Sequence, residues 1–116
     1  MKSIDAPQDP ASLFCHGFVH VVYFWLRPEL SDDDRQRFEE ALRRMVAESQ
    51  HAVTGHIGRP AQTPREVVDN SYDFVLIVTF DDADGHQAYQ EEEPHDRFRV
   101  VAAELAQRVQ IYDSMG

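Results

Sequence analysis

Two stretches limit what this chain can become: "FVHVVYFWL", Phe18 to Leu26, and "SYDFVLIVTF", Ser71 to Phe80. Both are rich in β-branched and aromatic residues, so both read as strands. Side chains alternate between the two faces of a strand. In the first, His20, Val22, Phe24 and Leu26 share one face, and Val19, Val21, Tyr23 and Trp25 share the other. In the second, Phe74, Leu76, Val78 and Phe80 oppose Asp73, Val75, Ile77 and Thr79. Both faces are largely apolar, and burial of each such side chain is worth about 1.5–3 kcal/mol. A sheet built on these strands must be covered twice.

The segments around the strands supply one cover. In "SDDDRQRFEEALRRMVAESQ", Ser31 can cap a helix and Asp32 to Asp34 sit at its positive end. Phe38, Ala41, Leu42, Met45 and Val46 make one apolar stripe on that helix. "AVTGHIG", Ala52 to Gly58, reads as a shorter strand. The loop that follows, with Pro60 and Pro64, is long for a compact domain, and such loops are functional or spent on contacts with a partner. Asp81 or Asp82 can cap a short helix running to about Glu92. Pro94 can open another, with Phe98, Val101, Ala102 and Leu105 at helical spacing. Arg108 to Asp113 closes as a strand. The order is β-α-β-β-α-β with a broken second helix, which predicts a ferredoxin-like α+β fold around a four-stranded antiparallel sheet.

In that fold the helices cover one sheet face only. The other face, with Val21, Trp25, Val75 and Ile77, would be a large exposed apolar patch. A second copy of the same face, related by a twofold axis, removes it. The sequence therefore predicts a homodimer through the sheet face. At 116 residues the chain is one domain, taken as residues 16–116 after an N-terminal tail over residues 1–15. A net charge of −10 with no basic stripe argues against nucleic acid and anionic membranes as partners. No apolar run is long enough for a signal peptide or a bilayer span. Cys15 is the single cysteine, so no internal disulfide can form, which suits a reducing, cytoplasmic setting.

The chemistry concentrates in "AYQEEEPHDRF", Ala88 to Phe98. On one straight helix, Tyr89 and His95 would point about 120° apart. Pro94 disfavours the helical region for Glu93, so the helix through Tyr89 should stop there and a new one start. His95 then lies in a first turn, and the two side chains can converge over an apolar floor of Val22, Phe24, Leu76 and Val78. The bland alternative makes Tyr89 a packing residue and His95 a surface one. The helix N-terminus favours a neutral imidazole, whereas Glu91 to Glu93 and Asp96 favour the cation. Glu91 to Glu93 themselves read as a solvated helix end. His20 lies on the helix-facing side of its strand and should be buried. His16, His51 and His56 show no ligand spacing, and His86 reads as lying on a solvated helix face, so no metal site is expected.

"VHVVYFWLRPELSDDDRQRF", "HIGRPAQTPREVVDNSYDF" and "AYQEEEPHDRF" together resemble the stress-responsive A/B barrel (Dabb) family of dimeric α+β barrels, over about Phe18 to Ser114. Some plant members are polyketide cyclases, which close a poly-β-keto chain by aldol chemistry without a cofactor. Their pocket lies between sheet and helices and uses a motif similar to Tyr-x-x-His-Pro-x-His-x-x-Phe, aided by a first-strand histidine. Aligned on Phe98, the resemblance puts the motif tyrosine on Tyr89, its second histidine on His95 and the strand histidine on His20. Glu92 replaces the first motif histidine, the proline comes one place later at Pro94, and Phe74 stands where a plant cyclase carries another pocket histidine. The resemblance implies a small, largely apolar carbonyl, aromatic or polyketide-like ligand. His95 would be the acid/base group, Tyr89 the hydrogen-bond donor to the enolate and His20 a positioner. Val22, Phe24, Phe74, Leu76, Val78 and Phe98 would form the walls, with no cofactor and no metal. A stress-related binding module or a cofactor-independent monooxygenase are the alternatives.

Overall fold

A computed structural model describes residues 13–116 of the protein. The elements run β1 (Phe18–Leu26), α1 (Asp32–Glu48), β2 (Thr54–Gly58), β3 (Phe74–Phe80), α2 (Ala83–Gln90), α3 (Glu93–Leu105) and β4 (Ala106–Met115). The strands form one antiparallel sheet in the order β2-β3-β1-β4, which is the ferredoxin-like arrangement expected. Most of the tail read at residues 1–15 lies outside the described residues, and Leu13 to Cys15 are exposed.

Local chemistry sets the boundaries. Ser31 caps α1 by accepting from the Asp34 N–H at 3.1 Å, while the Asp34 carboxylate accepts from the Ser31 N–H, a reciprocal capping box. Asp73 ties the far end of β1 in place. Its carboxylate accepts from the Leu26 N–H at 2.7 Å and from Arg35 at 2.8 Å. Gly17, at φ +99°, brings the chain into β1 beside the end of β3. A Cβ there would stand 2.5 Å from the Phe80 carbonyl oxygen, so no other residue fits without a shift.

The core fills the space between the sheet and the helices. Val22, Phe24 and Leu26 of β1 and Phe74, Leu76, Val78 and Phe80 of β3 meet Phe38, Leu42 and Met45 of α1. These are the faces read from the alternation. The outer face is less bare than the sequence implies, because the 59–73 loop folds over part of it. The Tyr72 ring lies 4.9 Å from Tyr23, and the Trp25 indole N–H donates to the Ser71 hydroxyl at 3.1 Å. Val19, Val21, Trp25 and Ile77 keep partial exposure, and Tyr112 on β4, paired across from Val21, is 61% exposed.

Candidate functional site between the sheet and the broken helix

The break that shapes the site falls one residue earlier than expected. Asp82 caps α2 by accepting from the Gly85 N–H at 2.8 Å, and α2 ends at Gln90. Glu92, not Glu93, takes the extended conformation between the helices, with φ −73° and ψ 151°. Glu93 opens α3 and Pro94 takes the second position, where its missing N–H has no intrahelical partner to lose. Glu92 is also not part of a solvated acidic end. Its carboxylate accepts from the Ser49 hydroxyl at 2.6 Å and the Gln50 N–H at 2.8 Å, clamping the bend to the end of α1.

The bend brings Tyr89 and His95 together. Their ring centroids lie 5.1 Å apart and the rings are nearly perpendicular, at 88°. Both line a cavity of about 260 Å³. His20, Val22, Phe24, Leu76 and Phe98 line it too, as placed by sequence. Met45, Gln90, Arg99, Ala102, Val109 and Ile111 complete it. Phe74 and Val78 do not. Val78 is fully buried, on a strand roofed by α1 and α2, and Phe74 packs against Phe38 farther along β3.

The polar atoms of the pair are the distinctive feature. Tyr89 Oη and His95 Nδ1 are buried without a hydrogen-bond partner among the described residues. Leaving such a group unpaired costs about 1–3 kcal/mol. Burial pushes the Tyr89 phenol well above its ordinary range, helped by the nearby Glu92 carboxylate, so Tyr89 stays a protonated donor. Burial, reinforced by Arg99 and His20, lowers the His95 pKa against the opposing pull of Asp96. The contest left open by the sequence is thus decided by desolvation, and the imidazole is neutral at neutral pH.

A second cluster adjoins the first. His20 Nδ1 lies 2.5 Å from Asp113 Oδ1, the imidazole N–H donating to the carboxylate. His86 is buried rather than solvated, a correction to the sequence reading. One face of α2 turns into the core, where His86 stacks on Phe18 at 4.2 Å and meets His20 at 4.6 Å. The Gln90 amide donates to His86 Nε2 at 3.1 Å. Sequence reasoning missed Asp113, Gln90 and Arg99. Asp113 is recoverable only from the strand register, which sets it directly across from His20.

A larger cavity, about 820 Å³, opens between the start of α1 and the 59–73 loop. Both of its arginines are already paired: Arg35 with Asp73 at 2.8 Å and Arg59 with Glu39 at 3.0 Å. Size therefore points to one cavity and chemistry to the other. The unpaired Tyr89 and His95 favour the smaller.

Topology and site define a ferredoxin-like α+β protein carrying a tyrosine–histidine pair beneath a broken helix. More particularly, the chain belongs to the stress responsive A/B barrel domain family, whose match spans residues 18–115. Solved structures agree in fold. A dimeric ferredoxin-like protein of unknown function from Thermobifida fusca is 19% identical, with TM-score 0.72 over 90% of this chain and 96% of that one. A Dabb family protein from Mesorhizobium loti is 17% identical, with TM-score 0.71 over 85% and 95%. The hydroxynitrile lyase from Passiflora edulis is 11% identical, with TM-score 0.75 over 86% and 94%. No curated protein matches the sequence.

Proposed function

We propose that the protein binds a small, largely apolar carbonyl compound in the 260 Å³ cavity and acts on it by acid–base chemistry, as a homodimer joined through the outer sheet face. The observation that carries this reading is the pair of buried, unpartnered atoms, Tyr89 Oη and His95 Nδ1, on residues lining one cavity with apolar walls. A ligand carrying one oxygen acceptor and one acidic C–H or O–H satisfies both. Neutral His95 takes the proton from the carbon next to the carbonyl, and the released electron pair moves onto the carbonyl oxygen. Tyr89 donates a hydrogen bond to the enolate oxygen so formed, and the imidazolium returns its proton in the second half-reaction. The protonation states favoured by burial suit these roles. His20 is a polar positioner on the floor. The fold shared with a hydroxynitrile lyase is compatible with carbonyl chemistry of this kind, without assigning it.

The dimer rests on the partly exposed apolar outer face and on the dimeric state of similarly folded proteins. The function is tested by assaying a panel of cyanohydrins and β-keto compounds for carbon–carbon bond cleavage or closure. With any substrate found, His95→Ala should lower the rate by about 10²–10⁴. Tyr89→Phe should cost less, since it removes one hydrogen bond and keeps the ring. A panel that binds in the cavity but never turns over would replace the enzyme with a binding module.

A further inference from the structure

We propose that His20, His86 and Asp113 form a binding site for a divalent transition-metal ion of the zinc class. The three residues come from β1, α2 and β4, so no sequence spacing announces them. One donor atom from each lies within 4.8 Å of the other two. Nitrogen and oxygen ligands stand about 2.0–2.1 Å from zinc, hence about 3.3 Å from one another. The contraction required is about an ångström and a half at the most. Asp113, near the exposed end of an edge strand, can supply part of it by turning its side chain, while His20 and His86 are fixed by burial at 4% and 9% exposure.

The way His86 is held is a second observation. His86 Nε2 is engaged by Gln90 at 3.1 Å, whereas His20 Nδ1 and Asp113 Oδ1, 2.5 Å apart, share a proton that a cation would displace. Among the described residues the remaining nitrogen of His86 makes no hydrogen bond. A metal-binding histidine is held in this manner, one nitrogen on an outer partner and the other left for the ion. The Gln90 amide can turn over to accept from His86 Nε2–H, which leaves the other nitrogen as a ligand. Phe18, stacked 4.2 Å from His86, keeps that ring from swinging away. Two imidazoles and one carboxylate suit zinc, cobalt or nickel better than magnesium or calcium, which prefer oxygen. A net charge of −10 also draws cations to the protein. The cluster shares His20 with the proposed site but uses neither Tyr89 nor His95, so metal binding is measured separately from turnover.

The test uses the untagged chain, freed of metal with a chelator and titrated with Zn²⁺ or Co²⁺ by calorimetry and visible absorption. The expected result is one ion per chain at micromolar affinity or tighter, a Co²⁺ band indicating nitrogen ligands, and a melting temperature that rises on saturation. Asp113→Ala and His86→Gln should each weaken binding about tenfold or more. His56→Gln, which alters an exposed histidine outside the cluster, should leave it unchanged. Should His86→Gln not fold, Asp113→Ala at the exposed strand end still decides the matter. No binding at millimolar metal, or binding undiminished in Asp113→Ala, would overturn the site and leave a hydrogen-bonded histidine cluster.

Discussion

At the scale of single residues, Tyr89 and His95 are defined by what they lack. A buried phenol and a buried imidazole nitrogen without partners are costly to keep in a core that has apolar residues elsewhere. The pairing was legible in the sequence because Pro94 announces the bend and the family motif marks both residues. The protonation of His95 was not, because the balance between neighbouring charges and burial depends on distances that no spacing records. Its direction gives a prediction. In the unfolded chain His95 takes up a proton near pH 6.5, but in the folded protein only at lower pH. Between those values the unfolded state binds more protons, so stability rises with pH. The contribution is complete above about pH 6.5 and is lost as pH falls through the lowered folded value. Thermal melts from pH 8 to 5 should show this loss, and His95→Gln should flatten it. A residual slope is expected from His86, whose pKa burial also lowers. An unchanged slope in the variant would mean that His95 is not buried neutral.

At the scale of elements, the β-α-β-β-α-β order was legible almost throughout, since apolar period, caps and prolines agree from segment to segment. Two of the misses share a cause: residues whose partners are distant in sequence. β4 runs from Ala106 to Met115, longer than Arg108 to Asp113, because its ends pair with Leu26 and Phe18 of β1 although their own side chains carry little strand signal. His86 was misplaced because α2 has few apolar residues to mark its inner face. Glu92 was read as solvated because its two donors lie 42 and 43 residues away, at Gln50 and Ser49. That clamp is testable. Glu92→Ala should lower stability by about 1–2 kcal/mol, toward the low end for bonds to a charged group because the clamp is partly exposed. The urea midpoint should fall with an unchanged slope. Truncation within α1 should cost more. Leu42→Ala, at a fully buried position, is expected to lose about 2–5 kcal/mol by the same measurement. A Glu92 variant as stable as the parent would show that Pro94 alone holds the bend.

At the scale of the whole molecule, the doubly apolar strands made the need for a second cover legible. The sequence did not show that the 59–73 loop takes part of that duty on the outer face, with Tyr72 and Ser71 against Tyr23 and Trp25. What remains partly exposed there, Val21, Ile77 and Tyr112 among it, is the expected dimer face. Sedimentation at micromolar concentration should give a mass near twice 13.4 kDa. Ile77→Asp should yield monomer or destabilise the fold, because it would set an unpaired charge in a dry interface. Tyr89 and His95 are expected to receive a small carbonyl compound together. This is tested most directly by NMR, following the His95 imidazole and Tyr89 ring signals while apolar aldehydes, ketones and β-keto compounds are titrated in. Saturable shifts of both residues are expected with at least one such compound, weakened in Tyr89→Phe. Shifts confined to the wide cavity beside Arg35 and Arg59, with His95 and Tyr89 unmoved by every compound, would contradict it.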